Sequence, residues 1–212
     1  MADKSTAYMK KNSPYSAAIT REQFLFHELR ITAKLVTEGL PREDVVERIV
    51  RDNLFQYPTE RSVRKMALAC LRRLDAMQDD SLVRELASQG IDAAKQICLY
   101  AMMKQYRLVW DFMVTVIGEK YRQQNFAFSR ADVKMFFMRL QEQDDWVATW
   151  SDNTVTKVGQ VLMRILVENE YIASLKANRL NPVWLYTFLE NAIRANNDEA
   201  ALPAFNCLSS HA

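Results

Sequence analysis

Asp52-Asn53-Leu54-Phe55-Gln56-Tyr57-Pro58-Thr59-Glu60-Arg61-Ser62-Val63-Arg64-Lys65 is the stretch on which the fold turns. Upstream of it, Val45, Val46, Ile49 and Val50 recur at helical spacing, so a helix over about 42–52 stops here. Pro58 punctuates a short turn. Thr59 then opens a second helix, in which Val63, Met66, Ala67, Cys70, Leu71, Leu74 and Met77 recur every three or four residues and face inward. The same helix carries Arg61, Arg64, Lys65, Arg72 and Arg73, with Glu60 as its only early acid. Helix, short turn and basic helix is the layout of proteins that lay a helix in the major groove of DNA. A plainer reading stands beside it: a solvated basic face bridged to Glu43, Glu47 or Asp75.

On both sides of this pair the chain reads as helix. Four glycines and five prolines in 212 residues leave few breakers, while Met, Leu, Ala, Arg, Gln and Glu, all good helix formers, are plentiful. The fold class that follows is an all-α, multi-helix bundle. Hydrophobic residues at 49% and charged residues at 25% are ordinary for a soluble globular protein. Net charge is only +2, so any basic surface must be local. Residues 1–78 hold 14 Lys and Arg against 10 Asp and Glu, and the remainder holds 14 against 16.

Cys70, Cys98 and Cys207 form no CxxC pair, and an odd number makes a poor disulfide framework. The first two sit among apolar helical neighbours and pack as small reduced hydrophobes. The polar start, with Lys10, Lys11 and Pro14, has no secretory pattern. The most apolar run, Leu108 to Gly118, is broken by Asp111 and falls short of the roughly 20 residues a bilayer span needs. A cytoplasmic protein without membrane contact is the expectation.

Along the chain, residues 1–18 read as a flexible arm in which Tyr8 and Tyr15 can dock on the body. Thr20 with Gln23 forms a capping box for a helix to about Thr37, ended by Gly39. Pro41 suits the first turn of the next helix. Asp80 caps a short helix ending at Gly90, and Asp92 caps the one after. From Ala93 to about Arg122 scarcely any polar face remains, so this is the molecule's centre, as two helices bent near Lys104-Gln105. Ser129 caps a helix to about Gln143. A short helical turn over 144–150 follows, and Ser151-Asp152 caps a helix to about Asn169. Beyond it, two extended pieces around a basic bend at 175–179 suggest a small β-hairpin wing centred on Lys176 and Arg179. Alternatively, Asn181 caps a last helix that begins at Pro182 and runs to Asn196. The tail from Asn197 reads as loose. The domains expected are 1–88, helix-turn-helix-like, and 89–212, helical and winged-helix-like.

Residues suited to catalysis are scarce. His211 lies in the tail, and His27 is a lone imidazole without an orienting partner, so it reads as a partly buried structural residue. Metal-ligand spacings and phosphate-binding glycine loops are missing. Glu142, Asp144, Asp145 and Asp152 lie around helix ends, where carboxylates satisfy free N–H groups. The expectation is a non-enzyme without cofactor, metal or small-molecule substrate.

Several segments resemble the BrxA family of BREX bacteriophage-exclusion systems. They are Thr20-Arg21-Glu22 with Glu28-Leu29-Arg30, Asn53-Leu54-Phe55-Gln56-Tyr57, and Leu71-Arg72-Arg73-Leu74. Next come Lys95-Gln96 with Leu99-Tyr100-Ala101, Arg107-Leu108, Asp111-Phe112, and Val116-Ile117-Gly118-Glu119-Lys120-Tyr121. Phe136-Phe137, Leu140-Gln141-Glu142-Gln143 and Trp150-Ser151-Asp152 complete the set. They run in order over roughly residues 15–172, and the order rather than any one motif carries the resemblance. It implies an all-helical, NusB-like fold and a DNA-binding accessory role. The partners it implies are an adenine methyltransferase, a large ATPase and an alkaline-phosphatase-like protein. The residues after Ile172 match less well.

Three readings follow. Double-stranded DNA binding rests on Arg61, Arg64, Lys65 and Arg72 of the Thr59 helix. Lys157 and Arg164 of the Ser151 helix, beside Gln160, and Lys176 and Arg179 of the wing would add to it. A protein–protein adaptor would use Trp146 and Trp150 as anchors. RNA binding is carried by the fold comparison alone.

Overall fold

The computed structural model describes residues 8–10 and 12–208. Its helices are α1 (Phe26–Thr37), α2 (Arg42–Arg51), α3 (Glu60–Met77), α4 (Asp80–Ser88), α5 (Ile91–Gln105), α6 (Arg107–Phe112), α7 (Glu119–Arg122), α8 (Arg130–Gln143), α9 (Asp145–Ala148), α10 (Asp152–Glu168) and α11 (Thr187–Ala195). A π-helical turn, Met113–Gly118, joins α6 to α7. Two 3-10 turns, Ala17–Thr20 and Glu199–Phe205, complete the order. The fold is all-α, and residues 1–7, 11 and 209–212, His211 among them, lie outside the described set.

The chain packs as two compact units. One holds residues 22–105 and 186–197; the other holds 106–185 with the segments before 22 and after 197. The boundary expected at 88/89 falls inside the first unit, because α5 packs on both α3 and α4. The helical path breaks at Tyr106 (φ −121°, ψ 106°), as the sequence places it near Lys104-Gln105.

In the first unit α1 packs on α3 and α4, and α2 packs on α3. The inward row of α3 is buried as its spacing requires: Val63, Met66, Ala67, Cys70, Leu71, Leu74 and Met77. Thr59 caps α3 by accepting from the Ser62 N–H. Residues 52–59 form a built connection. Asn53 (φ 42°) and Gln56 (φ 55°) take the left-handed conformation. The Asn53 amide holds Tyr57 from both sides, donating to its carbonyl at 3.0 Å and accepting its N–H at 3.1 Å. Phe55 is buried, and the Tyr57 hydroxyl donates to Glu28 at 2.6 Å. This connection is longer than the three- or four-residue turn of DNA-binding helix pairs.

Arg73 corrects the reading of α3 as uniformly basic. It is fully buried, and its guanidinium donates to the carbonyls of Glu22, Gln23 and Phe24. Those carbonyls are therefore unavailable to a helix. This is why α1 starts at Phe26, after a left-handed Leu25 (φ 55°), and not at the expected Thr20 box. The Thr20 hydroxyl instead donates to Ala17 at 2.8 Å. His27 is exposed rather than part-buried, its ring against the edge of Phe26 at 5.4 Å. Asp79, not Asp80, caps α4, and α5 begins before Asp92.

In the second unit Ser129 with Asp132 forms a capping box on α8, and Asp144 and Ser151 cap α9 and α10. The Ala17–Thr20 turn packs on α10, and the Glu199–Phe205 turn packs on the π turn. That second turn buries Ala201, Leu202, Pro203, Ala204 and Phe205, so this part of the tail is core and not loose.

The hairpin wing is not formed. Among the described residues the one β pairing is an isolated antiparallel bridge, Ala127 to Arg179. The Phe128 N–H donates to Asn178 at 3.0 Å, and the Leu180 N–H donates to Phe126 at 2.8 Å. The basic bend thus pairs with residues 126–128 and has no second wing strand. Asn181 is not a helix cap either. Its N–H donates to Tyr171 at 2.8 Å and its side-chain amide to Glu170 at 2.8 Å, closing the 171–181 loop. The last helix begins at Thr187, five residues after Pro182.

Candidate functional site

Four of the eight sequence-named cations come together. Arg61, Arg64, Lys65 and Arg72 are exposed on the outer face of α3, where with Leu68 and Glu22 they line one shallow depression. Positions 61, 65, 68 and 72 are three or four residues apart, so they form a single row along the helix. At 1.5 Å per residue the row is about 16 Å long. Opposite it lie Val63, Met66 and Cys70 in the core.

The four cations are not equally available. Arg64 makes a two-pronged pair with Glu47, at 2.7 and 3.1 Å. That contact lowers the Glu47 pKa and raises that of Arg64, chiefly through the hydrogen bonds. Arg72 donates to Glu22 at 3.1 Å. Arg61 and Lys65 make no ion pair among the described residues. The bridge expected from α3 to Glu47 is present, whereas Asp75 is held by Arg42 of α2. Leu68, 45% exposed, is the one apolar side chain in the row.

Of the other four cations, a single one lines a concavity. Lys157, Arg164, Lys176 and Arg179 are all exposed. Arg179 lies over the Phe126 ring at 5.5 Å. Arg164 alone of the four lines a groove of about 650 Å³ between α8 and α10. Arg130 and Lys134 of α8 also line it, and sequence reasoning passed over both. Their i, i+4 spacing was visible, but which helix faces them was not.

A third concavity, of about 580 Å³, is polar and lies between α8 and the segment that includes the π turn. Four of its charges pair across it, Arg107 with Asp111 and Lys120 with Asp132, while Arg139 also lines it. The Tyr15 hydroxyl donates to Asp111 at 2.7 Å, and Arg107 donates to the same carboxylate at 2.9 Å. Lys120 pairs with Asp132 at 2.8 Å. Burial, followed by the Asp111 contact, pushes the Tyr15 phenol up to about 12. An acid this weak, tied to a carboxylate already held by arginine, is badly placed for proton transfer near neutral pH.

Trp146 and Trp150 read from the sequence as core residues closing a small helical domain before they read as interface anchors. Trp150 is buried, and Trp146 is half-buried with the Lys10 ammonium 5.8 Å from its ring centre. The exposed tryptophan is Trp184, at 82%. No helix among the described residues is long and apolar enough to cross a membrane.

The BrxA family model matches residues 13–197. The chain is similar to a protein of Bacillus cereus strain H3081.97 described as BREX protein BrxA. The two are 36% identical over 171 residues, which is 81% of this chain and 85% of that one. A BREX protein BrxA of Paramagnetospirillum magneticum strain AMB-1 is 26% identical over 187 residues, 87% of this chain and 92% of its own. Among solved structures, that of an uncharacterized protein from Magnetospirillum magneticum superposes with a TM-score of 0.79 at 23% identity. It covers 92% of this chain and 100% of its own, which supports the shared fold.

Proposed function

The chain belongs to the BrxA family of the BREX phage-defence system, and from that premise we propose that it is a non-enzymatic accessory protein that binds double-stranded DNA through the outer face of α3. The observation that carries this reading is the row of Arg61, Arg64, Lys65 and Arg72 in one depression. Its length of about 16 Å is close to the major-groove width of about 12 Å. The row therefore reaches a few phosphates along or across a groove. Arginine and lysine there meet phosphates, and the row has no Asn or Gln to read adenine, so sequence preference is weak. The connection between α2 and α3 differs from that of groove-reading helix pairs, which favours backbone contact over deep insertion.

Within the defence system the chain's partners are other BREX components: the methyltransferase, the ATPase and the phosphatase-like protein. The non-enzymatic part of the proposal is supported by the Tyr15 phenol and the Lys120 ammonium, both of which are tied to carboxylates in the cleft. Lys157, Lys176 and Arg179 are secondary candidates for DNA contact in the other unit.

The test is a gel shift with two unrelated duplexes at low and high salt. Wild-type binding falls steeply with salt as condensed counterions are released, with a slope matching roughly 3–6 phosphate contacts. Replacing Arg61, Arg64 and Lys65 together by Ala weakens both duplexes alike by about ten-fold or more at low salt. The helical circular dichroism is unchanged, because exposed substitutions cost little stability. A folded triple variant that binds like wild type removes α3 as the contact surface. Lys157, Lys176 and Arg179 are then tested in the same assay.

A further inference from the structure

The groove between α8 and α10 differs in chemistry from the α3 row. Its accessible apolar surface is Val155, part-buried, and Leu175, 40% exposed at its edge, while Phe137 and Met163 are buried behind them. Three exposed cations rim it: Arg130 and Lys134 on α8, and Arg164 on α10. None of the three makes an ion pair among the described residues. The one acid in the lining, Asp152, lies in the first turn of α10, where the helix dipole already stabilises it. At Gly159 a Cβ would come within 3.2 Å of Val133, so the two helices approach closely along the floor.

We propose that this groove docks an acidic amphipathic helix of a partner protein, its apolar stripe on Val155 and Leu175 and its carboxylates on Arg130, Lys134 and Arg164. Size favours a helix. The lining of α10 runs from Asp152 to Arg164, about 18 Å at 1.5 Å per residue, or roughly three helical turns. Packed helices lie about 8–10 Å apart, so a third helix can seat its ridge between two others. Charge favours an acidic one, because three unpaired cations would repel a basic or leave unused a neutral partner. A duplex fits the floor poorly. Its outer surface is phosphate and sugar, which cannot fill an apolar slot, whereas the α3 row offers cations with a single leucine. The proposal stands independently of DNA binding by α3.

The experiment uses the full chain and a fluorescein-labelled 14-residue helical peptide with one leucine stripe and flanking glutamates. Versions with every Glu replaced by Gln or by Lys are run beside it. Anisotropy reports affinity, and amide chemical shifts locate the contact. The acidic peptide binds, and shifts concentrate at Val133, Thr156, Gly159 and Gln160. The double reversal Lys134→Glu with Arg164→Glu weakens it at least ten-fold, and the Lys peptide then binds the reversed protein. Thr156→Trp, at an exposed lining position, fills the groove and weakens the acidic peptide without altering any charge. The α3 triple variant keeps peptide binding, and Thr156→Trp keeps duplex binding, so the two surfaces fail separately. Equal binding of the Gln peptide overturns the proposal. So does loss of duplex binding in Thr156→Trp, which makes the groove a DNA surface. Conversion of a dimer to a monomer by Thr156→Trp also overturns it, because the occupant is then a second copy.

Discussion

Arg72 and Arg73 are adjacent in sequence and opposite in role. Arg72 is exposed and donates to the Glu22 carboxylate. Arg73 is fully buried and donates to three consecutive main-chain carbonyls. Replacing Arg73 by Met keeps the volume and removes the guanidinium donors that hold the carbonyls of Glu22, Gln23 and Phe24. Losses of this kind cost about 3–5 kcal/mol, which for a chain of this size lowers Tm by roughly 10 °C. Arg72→Met stays within about 1 kcal/mol of wild type, as exposed ion pairs contribute little. Thermal melts of the two variants decide it, and equal Tm values would mean that Arg73 does not hold the 22–24 segment in place. The signal was present in the sequence. Position 73 is three residues after Cys70 and four before Met77, which places it on the inward face. A charged side chain at such a position needs a buried partner. Glu47 raises a related point. Its carboxylate occupies the Arg64 guanidinium, so a phosphate must displace it. Glu47→Gln therefore increases duplex affinity a few-fold at low salt, and a decrease would mean that Glu47 positions Arg64 for DNA.

At the scale of helices, local chemistry was read within a residue or so, while long-range packing was not legible. Asp79 caps in place of Asp80, and α5 starts one residue before Asp92. Thr59, Ser129, Asp144 and Ser151 cap the helices that their positions indicate, because a cap is a contact within three residues. The start of α1 was not legible, since it is set by Arg73 from a helix nearly 50 residues away. The wing failed for the same reason. Residues 171–174 bend rather than extend, residues 126–128 claim the basic bend, and periodicity carries no information on which segment pairs with which. Of the candidate site, the α3 row was legible because it is a one-helix pattern. The α8–α10 groove was not, because it depends on which helices are neighbours. Two glycines test that packing. A Cβ at Gly118 meets the main chain of Pro203 and Ala204 at 3.2–3.3 Å, which cannot swing aside. At Gly159 the near atom is the Val133 side-chain methyl, which can. Alanine in place of glycine gains up to about 1 kcal/mol of helix propensity, while overpacking costs about 1–3 kcal/mol. Gly118→Ala therefore loses about 1 kcal/mol net, and Gly159→Ala is neutral or slightly stabilising. Urea titrations showing the reverse order would contradict the packing of the 199–205 turn on the π turn.

Over the whole molecule, four phenols, Tyr121 and Tyr171 buried and Tyr15 and Tyr57 part-buried, are expected to limit the fold at alkaline pH. Tyr57 belongs to the first unit, and Tyr15, Tyr121 and Tyr171 belong to the second. Burial is the leading cause in all four, and each phenol is pushed above its ordinary value, Tyr15 to about 12. Tyr57 is raised further by donating to the Glu28 carboxylate, as Tyr15 is by Asp111. The direction of the linkage follows. A phenol whose folded pKa exceeds its unfolded value of about 10 stays neutral in the native state while the unfolded chain ionises. Below pH ~10 the neutral phenols contribute their full stability. Between pH ~10 and ~12 the unfolded chain sheds these protons and the native chain does not, so stability falls as pH rises. Both units hold such groups, so both lose stability in this window. Tyrosinate absorbance followed together with helical circular dichroism should show part of the tyrosine signal rising only as the helix signal collapses. Complete titration of all eight tyrosines with the helix signal intact would mean that these four phenols are not held neutral by the fold. The Tyr57→Phe variant assigns the first unit's share, because it removes the ionisable group and leaves the ring packed on Phe55. Its alkaline midpoint moves upward if the Tyr57 phenol limits that unit, even though the variant gives up the hydrogen bond to Glu28 at neutral pH.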